Sequence, residues 1–227
     1  AIAEDENVRA VVIAGRGKSF CVGIDLADLA PRDSSGEPGA APISGAVANV
    51  KQMKVTRAFQ GAISAIADCP LPVIAAVHSH CIGAGMDLVT ACDIRLASQD
   101  AIFGVRETKI GIVADVGTLQ RLPGIVTAGQ VAELAYTGKD IDAARAEKIG
   151  LVNQYFNDQD EMNKYVQKIA ERIASKSPLV AANAHPGHRA LIKICDIATP
   201  KKFGRAMLDG SIPLEISSNG TSMALSA

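Results

Sequence analysis

Gly83-Ala84-Gly85 stands between a run of apolar residues, Val73-Ile74-Ala75-Ala76-Val77, and a stretch of helical spacing from Met86 to Cys92. A glycine-rich turn at a helix start lets a ligand approach backbone N–H groups that the helix itself cannot use, at the end that carries partial positive charge. That favours an anion or an incipient oxyanion near residues 83–85. Three carboxylates, Asp87, Glu107 and Asp115, follow the turn. Positioned carboxylates are general acids and bases, but each of these has an ordinary role open to it. Asp115 could cap a helix, Asp87 falls in a first helical turn where the macrodipole favours a negative charge, and Glu107 could be an exposed loop acid.

Other motifs fail on inspection. Gly15-Arg16-Gly17-Lys18-Ser19 follows a strand pattern, yet the first glycine of a phosphate-binding loop would fall at Val12, and Phe20-Cys21-Val22-Gly23 does not continue as a helix. Gly83-Ala84-Gly85 lacks the third small residue of a dinucleotide fingerprint, since Leu88 stands there. His78 and His80 lie two apart, which on an extended segment puts both on one side, but no further ligands follow at metal spacing, so no metal site is expected. No G-x-S-x-G anchors serine chemistry. Lys51, Lys54 and Arg57 form a small basic stripe that reads as a solvated helix face.

The elements that must position these residues alternate. A β-branched run at 8–13 ends in a turn, residues 31–42 have loop composition, and helix-period spacing at Val47, Val50, Met53, Val55, Phe59 and Ile63 stops at Pro70-Leu71-Pro72. Residues 73–77 form a continuous apolar strand, long enough only to be fully buried. Short strands are expected at 94–97, 102–105 and 152–156. Helices are expected at 86–92, from Asp115 to Leu122, and at 126–136, 143–149, 161–175 and 179–194, with short helices and coil beyond Pro200. Asp93 is expected to close the turn between helix and strand. The pattern is an α/β chain with a principal domain and a helical tail.

The 227 residues are 48% hydrophobic and 21% charged, with 23 basic and 24 acidic side chains, which excludes disordered and collagen-like classes. A net charge of −1 supplies no field toward nucleic acid or anionic lipid, so small molecules or copies of the chain itself are the expected partners. Cys21, Cys69, Cys81, Cys92 and Cys195 form no C-x-x-C pair and sit mostly in apolar runs, the pattern of a reduced, intracellular chain. No apolar stretch is long enough to span a bilayer, and no targeting segment is visible. Ala1-Ile2-Ala3-Glu4-Asp5 reads as the tail of a helix, so the sequence is expected to begin inside a domain with its N-terminal strands missing.

Phe20-Cys21-Val22-Gly23-Ile24-Asp25-Leu26, then Pro72-Val73-Ile74-Ala75-Ala76-Val77 with Gly83-Ala84-Gly85-Met86-Asp87-Leu88, then Cys92-Asp93-Ile94-Arg95 with Phe103-Gly104-Val105-Arg106-Glu107, resemble in order and spacing the enoyl-CoA hydratase/isomerase (crotonase) family. The resemblance runs from about Val8 to about Ser177. It implies a spiral of ββα repeats over residues 1–177 and a helical, oligomerisation-type tail over 178–227, assembled as a homotrimer or homohexamer. It also implies an acyl-CoA substrate, with coenzyme A part of that substrate rather than a cofactor.

Within the family, Ala114-Asp115-Val116-Gly117-Thr118-Leu119-Gln120-Arg121-Leu122-Pro123 resembles the Δ3,5-Δ2,4-dienoyl-CoA isomerase branch. Hydratases of the family carry two catalytic glutamates. Asp87 and Glu107 stand at those places, and Asp115 is a third acid where hydratases have glycine. By resemblance Glu107 transfers a proton at C2, Asp115 at C6, and Asp87 orients or tunes the pair, with at least one of the three crowded carboxyls protonated in a desolvated pocket. The Val22 and Ala84 N–H groups form the oxyanion hole. Val22, Gly23, Ile24, Asp25, Leu26, Gly83 and Ala84 line the coenzyme A path.

The chemistry has its own logic. Moving two conjugated double bonds along a thioester removes a proton near the carbonyl and returns one several carbons away, so two acid/base groups must flank an extended chain. A 2-enoyl-CoA hydratase is the alternative within the fold, and a non-catalytic acyl-CoA- or RNA-binding member is the alternative of another class. The branch places such enzymes in fatty acid β-oxidation, in mitochondria or peroxisomes.

Overall fold

The computed structural model describes residues 8–25 and 45–176 together with the strand segments 192–197, 214–218 and 221–224. The chain lays one strand on a first sheet, one on a second sheet, then a helix, and repeats. β1 (Ala10–Gly15) leads to Cys21, a single bridge residue of the second sheet, and α1 (Gly45–Ala67) carries the chain back. β2 (Val73–Val77) pairs parallel to β1, β3 (His80–Ile82) runs beside Cys21, and α2 (Ala84–Ala91) follows. β4 (Ile94–Ser98) then joins β2 and β5 (Ile102–Gly104) joins β3, both parallel. This is the expected α/β spiral of ββα turns.

The third turn is elaborated where the acids lie. A 3₁₀ turn (Glu107–Ile110), the short helix α3 (Thr118–Arg121), a second 3₁₀ turn (Leu122–Gly124) and α4 (Ala128–Thr137) intervene before β6 (Asp140–Asp142), which pairs antiparallel to β5. α5 (Ala143–Lys148), β7 (Gln154–Phe156) parallel to β4, and α6 (Gln159–Ala174) complete this part. α6 is capped by Asp158, whose Oδ1 accepts the Glu161 N–H at 2.7 Å.

β2 is buried along its whole length because both of its faces are covered. Val73, Ala75 and Val77 belong to the core shared with α2 and the second sheet, whereas Ile74 and Ala76 pack with Met162, Val166 and Ala170 of α6. A strand sandwiched in this way reads as an unbroken apolar run rather than an alternating one. Asp93 closes the entry to β2: its Oδ2 accepts the Val73 N–H at 2.7 Å and its own N–H donates to the Val73 carbonyl.

Beyond residue 177 the described segments are strands, a correction to the expected helices. β8 (Ile192–Ile197) pairs parallel to the free side of β1, and β9 (Leu214–Ser218) and β10 (Thr221–Ala224) extend that edge antiparallel. The helix expected at 179–194 thus meets strand from Ile192 onward. Ile192-Lys193-Ile194-Cys195-Asp196-Ile197 is rich in β-branched isoleucine, and the open edge of β1 offers it unpaired backbone groups. The remainder of 178–227, the loop at 31–42 and Leu26 lie outside the described residues.

Candidate active site

α2 is short and almost wholly buried, and it enters its packing through two glycines. Gly83 caps it with φ 58 and ψ −118, a conformation that side chains rarely adopt. Gly85 lies so close to the first turn of the spiral that a Cβ there would meet the Cys21 carbonyl oxygen at 2.6 Å. Cys21 is riveted to β3, its N–H donating to His80 O at 3.0 Å and its O accepting from Ile82 N at 2.9 Å. The neighbouring Val22-Gly23 backbone is thereby held against the helix start: a Cβ on Gly23 would stand 3.6 Å from the Ala84 nitrogen. Among the described residues no backbone carbonyl takes the Val22 or the Ala84 N–H. The backbones of Gly23 and Ala84, from different turns of the spiral, therefore lie close together next to exposed Val22.

Asp87, one turn into α2, is 2% exposed. Its Oδ1 accepts both the backbone N–H and the hydroxyl of Thr118, each at 2.7 Å. Burial pushes this carboxyl up, against the Thr118 bonds and the Arg121 guanidinium, which pull it down.

Glu107 begins the 3₁₀ turn after β5 and is 9% exposed. Its Oε1 lies 3.4 Å from where a Gly83 Cβ would be, which places the carboxyl beside the turn that presents the Ala84 N–H. Its Oε2 is buried without a hydrogen-bond partner. Burial is the main cause that raises this carboxyl, and the nearby charges of Asp87 and Asp115 add to it.

Asp115 is exposed and does not open a helix, which corrects two expectations. Its N–H donates to the Val113 carbonyl in a turn, and α3 starts only at Thr118 because Gly117, with φ 135, breaks the backbone first. In the chain alone only two of the three acids are desolvated. The three still share one electrostatic environment, since the charge of Asp115 acts on both Asp87 and Glu107. Gln60 of α1 holds the Asp115 loop by donating from Nε2 to the Asp115 carbonyl at 2.7 Å. Between Glu107 and Asp115 the side chains of Ile110, Ile112 and Val113 are exposed.

The other expected positions are distributed around this centre. Gly23 is buried, Ile24 and Asp25 are half-buried on the segment that leaves it, and Gly83 is half-buried at its edge. His78 and His80 do not share a side: Ser79, with φ 50, twists the backbone between them. Buried His78 meets the Gly17 carbonyl through Nε2 at 3.0 Å while His80 is exposed. Among the described residues no group of three or more His, Cys, Asp or Glu could hold a metal ion. Lys54 and Arg57 are exposed, in keeping with a solvated helix face. Cys21, Cys81 and Cys92 are buried, and burial pushes the Cys21 thiol to about 11 and Cys92 to about 12. They are inert at neutral pH. Thr118, Arg121, Gln60 and Ser64 were not expected near the acids, and nothing in their spacing announced it.

The family model described as Enoyl-CoA hydratase/isomerase matches residues 1–193. Among curated relatives, the mitochondrial Delta(3,5)-Delta(2,4)-dienoyl-CoA isomerase of Dictyostelium discoideum is 44% identical over 179 residues, covering 79% of this chain and 60% of the relative. The mitochondrial protein of the same name from Homo sapiens is 46% identical over 181 residues, 78% of this chain and 53% of the relative. The peroxisomal one from Arabidopsis thaliana is 42% identical, over 78% of this chain and 62% of the relative. The chain thus spans between half and two thirds of the length of these relatives. Of the solved structures, an enoyl-CoA hydratase from Bacillus anthracis superposes with a TM-score of 0.68 at 32% identity, over 81% of this chain and 65% of that one. An enoyl-CoA hydratase/isomerase from Marinobacter aquaeolei gives a TM-score of 0.69 at 27% identity, over 81% of this chain and 66% of that one.

Proposed function

Since the chain belongs to the enoyl-CoA hydratase/isomerase family, we propose that it serves a Δ3,5-Δ2,4-dienoyl-CoA isomerase that moves both double bonds of a 3,5-dienoyl thioester into 2,4 conjugation. The observation that carries the reading is Glu107: a buried carboxyl with an unpartnered oxygen, beside the turn that presents the Ala84 N–H and within the field of a second acid, Asp115. The relatives named for this reaction support it.

The thioester carbonyl accepts from the Val22 and Ala84 N–H groups. Glu107, adjacent to that turn, is then the acid nearest C2 and takes a proton from it. The electron pair passes along C3 to C6 as an extended enolate whose negative oxygen stays on the two amides. Each such donor is worth roughly 3 kcal/mol in the barrier. Asp115 delivers a proton to C6, the C2–C3 and C4–C5 double bonds form, and the two carboxyls are left with their protonation states exchanged. Asp115, at the solvent, restores them through water. Protons lost and gained balance and no electrons leave the substrate, so the reaction calls for neither a metal nor a redox cofactor.

Asp87 lies deeper, with one oxygen already committed to Thr118, and its part is to tune the other two. Ile110, Ile112 and Val113 supply apolar surface between the two proton-transferring acids, and an acyl chain laid across them removes water from Asp115. Gly23, Ile24 and Asp25 continue as the coenzyme A path. A homotrimer or homohexamer, and a mitochondrial or peroxisomal location, belong to the same proposal.

Incubation with a 3,5-dienoyl-CoA should produce the absorbance of the conjugated 2,4-dienoyl product, and Asp115→Asn should lower the rate by about 10²- to 10⁴-fold. Hydration of a 2-enoyl-CoA without diene isomerisation would assign the chain to the hydratases instead, and unchanged turnover in Asp115→Asn would remove Asp115 from the chemistry.

A further inference from the structure

Arg121 occupies a place in the acid cluster that α3 alone does not require. Its N–H closes the helical turn on the Gly117 carbonyl at 3.0 Å, and its side chain folds back over the same glycine. A Cβ at Gly117 would sit 1.7 Å from Nη1, so the guanidinium fills the space that the missing side chain leaves. Nη2 donates to Ser64 Oγ of α1 at 3.2 Å, and Nη1 is buried with no hydrogen-bond partner. Between Gly117 and Arg121 stands Thr118, the residue that holds Asp87.

Among the described residues, the groups whose fields meet at Asp87 are the Cys21 and Cys81 thiols, Glu107, Asp115 and Arg121. The thiols are uncharged and two of the others are acids. A buried carboxylate with two like charges nearby needs a countercharge.

We infer that Arg121 is a positioning residue of the proposed isomerase site: seated on Gly117 and tied to α1 at Ser64, its guanidinium holds the Gly117-Thr118 turn against Asp87 and is the countercharge of that buried carboxylate. Only the catalytic consequence rests on the functional reading. In the proposed reaction an Asp87 held in this way tunes Glu107 and Asp115, the two groups that exchange protons with substrate. A lysine would keep the charge but lacks the planar fork that spans Gly117 and Ser64.

The test reads Asp87 directly, by carbon-13 NMR titration of side-chain carboxyls in the full chain, with the Asp87 signal assigned by its loss in Asp87→Asn. Arg121→Gln should move the Asp87 titration up by about one pH unit or more. Arg121→Lys should recover most of that, and Arg106→Gln, which breaks a surface pair with Asp140, should leave it in place. An Asp87 titration unmoved in Arg121→Gln overturns the inference. If Arg121→Gln does not fold, Ser64→Ala keeps the charge and cuts the tie to α1; a smaller upward move supports the inference and none overturns it. In turnover, Arg121→Gln should shift the acid limb of the kcat profile to higher pH with KM little changed. An isomerase whose profile does not move in that variant sinks the role of Arg121, whereas a moved titration in a parent chain that never isomerises a dienoyl-CoA sinks the functional reading and leaves Arg121 in place.

Discussion

Thr118 donates its backbone N–H and its hydroxyl to the same atom, Oδ1 of Asp87, at 2.7 Å each, across 31 residues of sequence. One oxygen of the buried acid is thus fully spoken for, and its orientation is set by the first residue of α3. Thr118→Val preserves shape and removes the hydroxyl. It should destabilise the fold by about 1–3 kcal/mol, the usual cost of depriving a buried polar group of its partner. Urea denaturation checks this, and a variant as stable as its parent would mean that the backbone bond alone suffices.

Glu107 is held above the ordinary carboxylate value of 4.5 by burial first and by its acidic neighbours second. The folded chain therefore binds this proton more tightly than the unfolded chain does, so stability falls as pH rises from the unfolded value to the raised folded one, and the full penalty is present above it. Glu107→Gln should melt at a higher temperature than its parent at pH 8, and the difference should close as pH drops below about 4.5, the value at which the unfolded carboxyl takes its proton. Catalysis should fall in the same variant. Scanning calorimetry across pH reads the first effect and dienoyl-CoA turnover the second.

Gly83 carries φ 58 at the mouth of α2, where a Cβ would lie 3.4 Å from Glu107 Oε1. Gly83→Ala should cost about 1–3 kcal/mol in backbone strain. Isomerisation should fall by more than the stability loss accounts for, because the Ala84 N–H turns away from its partner donor. Folded protein with full kcat would show that the Ala84 amide does not act on the thioester.

Gln60 reaches the Asp115 carbonyl from α1 in an exposed hydrogen bond. Its loss in Gln60→Ala should leave the melting temperature almost unchanged. Turnover should drop by about 2- to 10-fold, the net worth of one such bond. Unaltered turnover would mean that the Asp115 loop keeps its position without α1.

How far the sequence could be read differs from element to element. β2 was legible because five successive apolar residues can only be a strand covered on both sides, and α1 and α6 because their apolar residues recur at helical spacing. β3 and β6 carry no signal along the chain: each is three residues long, too short for any period to show, and each exists because a neighbouring strand offers it partners. Asp115 looks like a cap, and only the positive φ of Gly117 delays α3 to Thr118. At 192–197 the residues keep no clear period, and the open edge of β1 that makes them a strand is not visible along the chain.

The sequence alone determined which groups were on hand: three carboxyls, glycines able to take positive φ, and strands that alternate with helices. Those are local properties of residue type and period. What only the tertiary structure decided is how differently the three acids are placed. Asp87 and Glu107 are sealed into the core while Asp115 stays at the surface, and Arg121, Thr118 and Gln60 serve them from positions remote in sequence. The physical reason is that desolvation, charge proximity and hydrogen-bond partnership depend on distances through space, and nothing in the spacing along one chain encodes them.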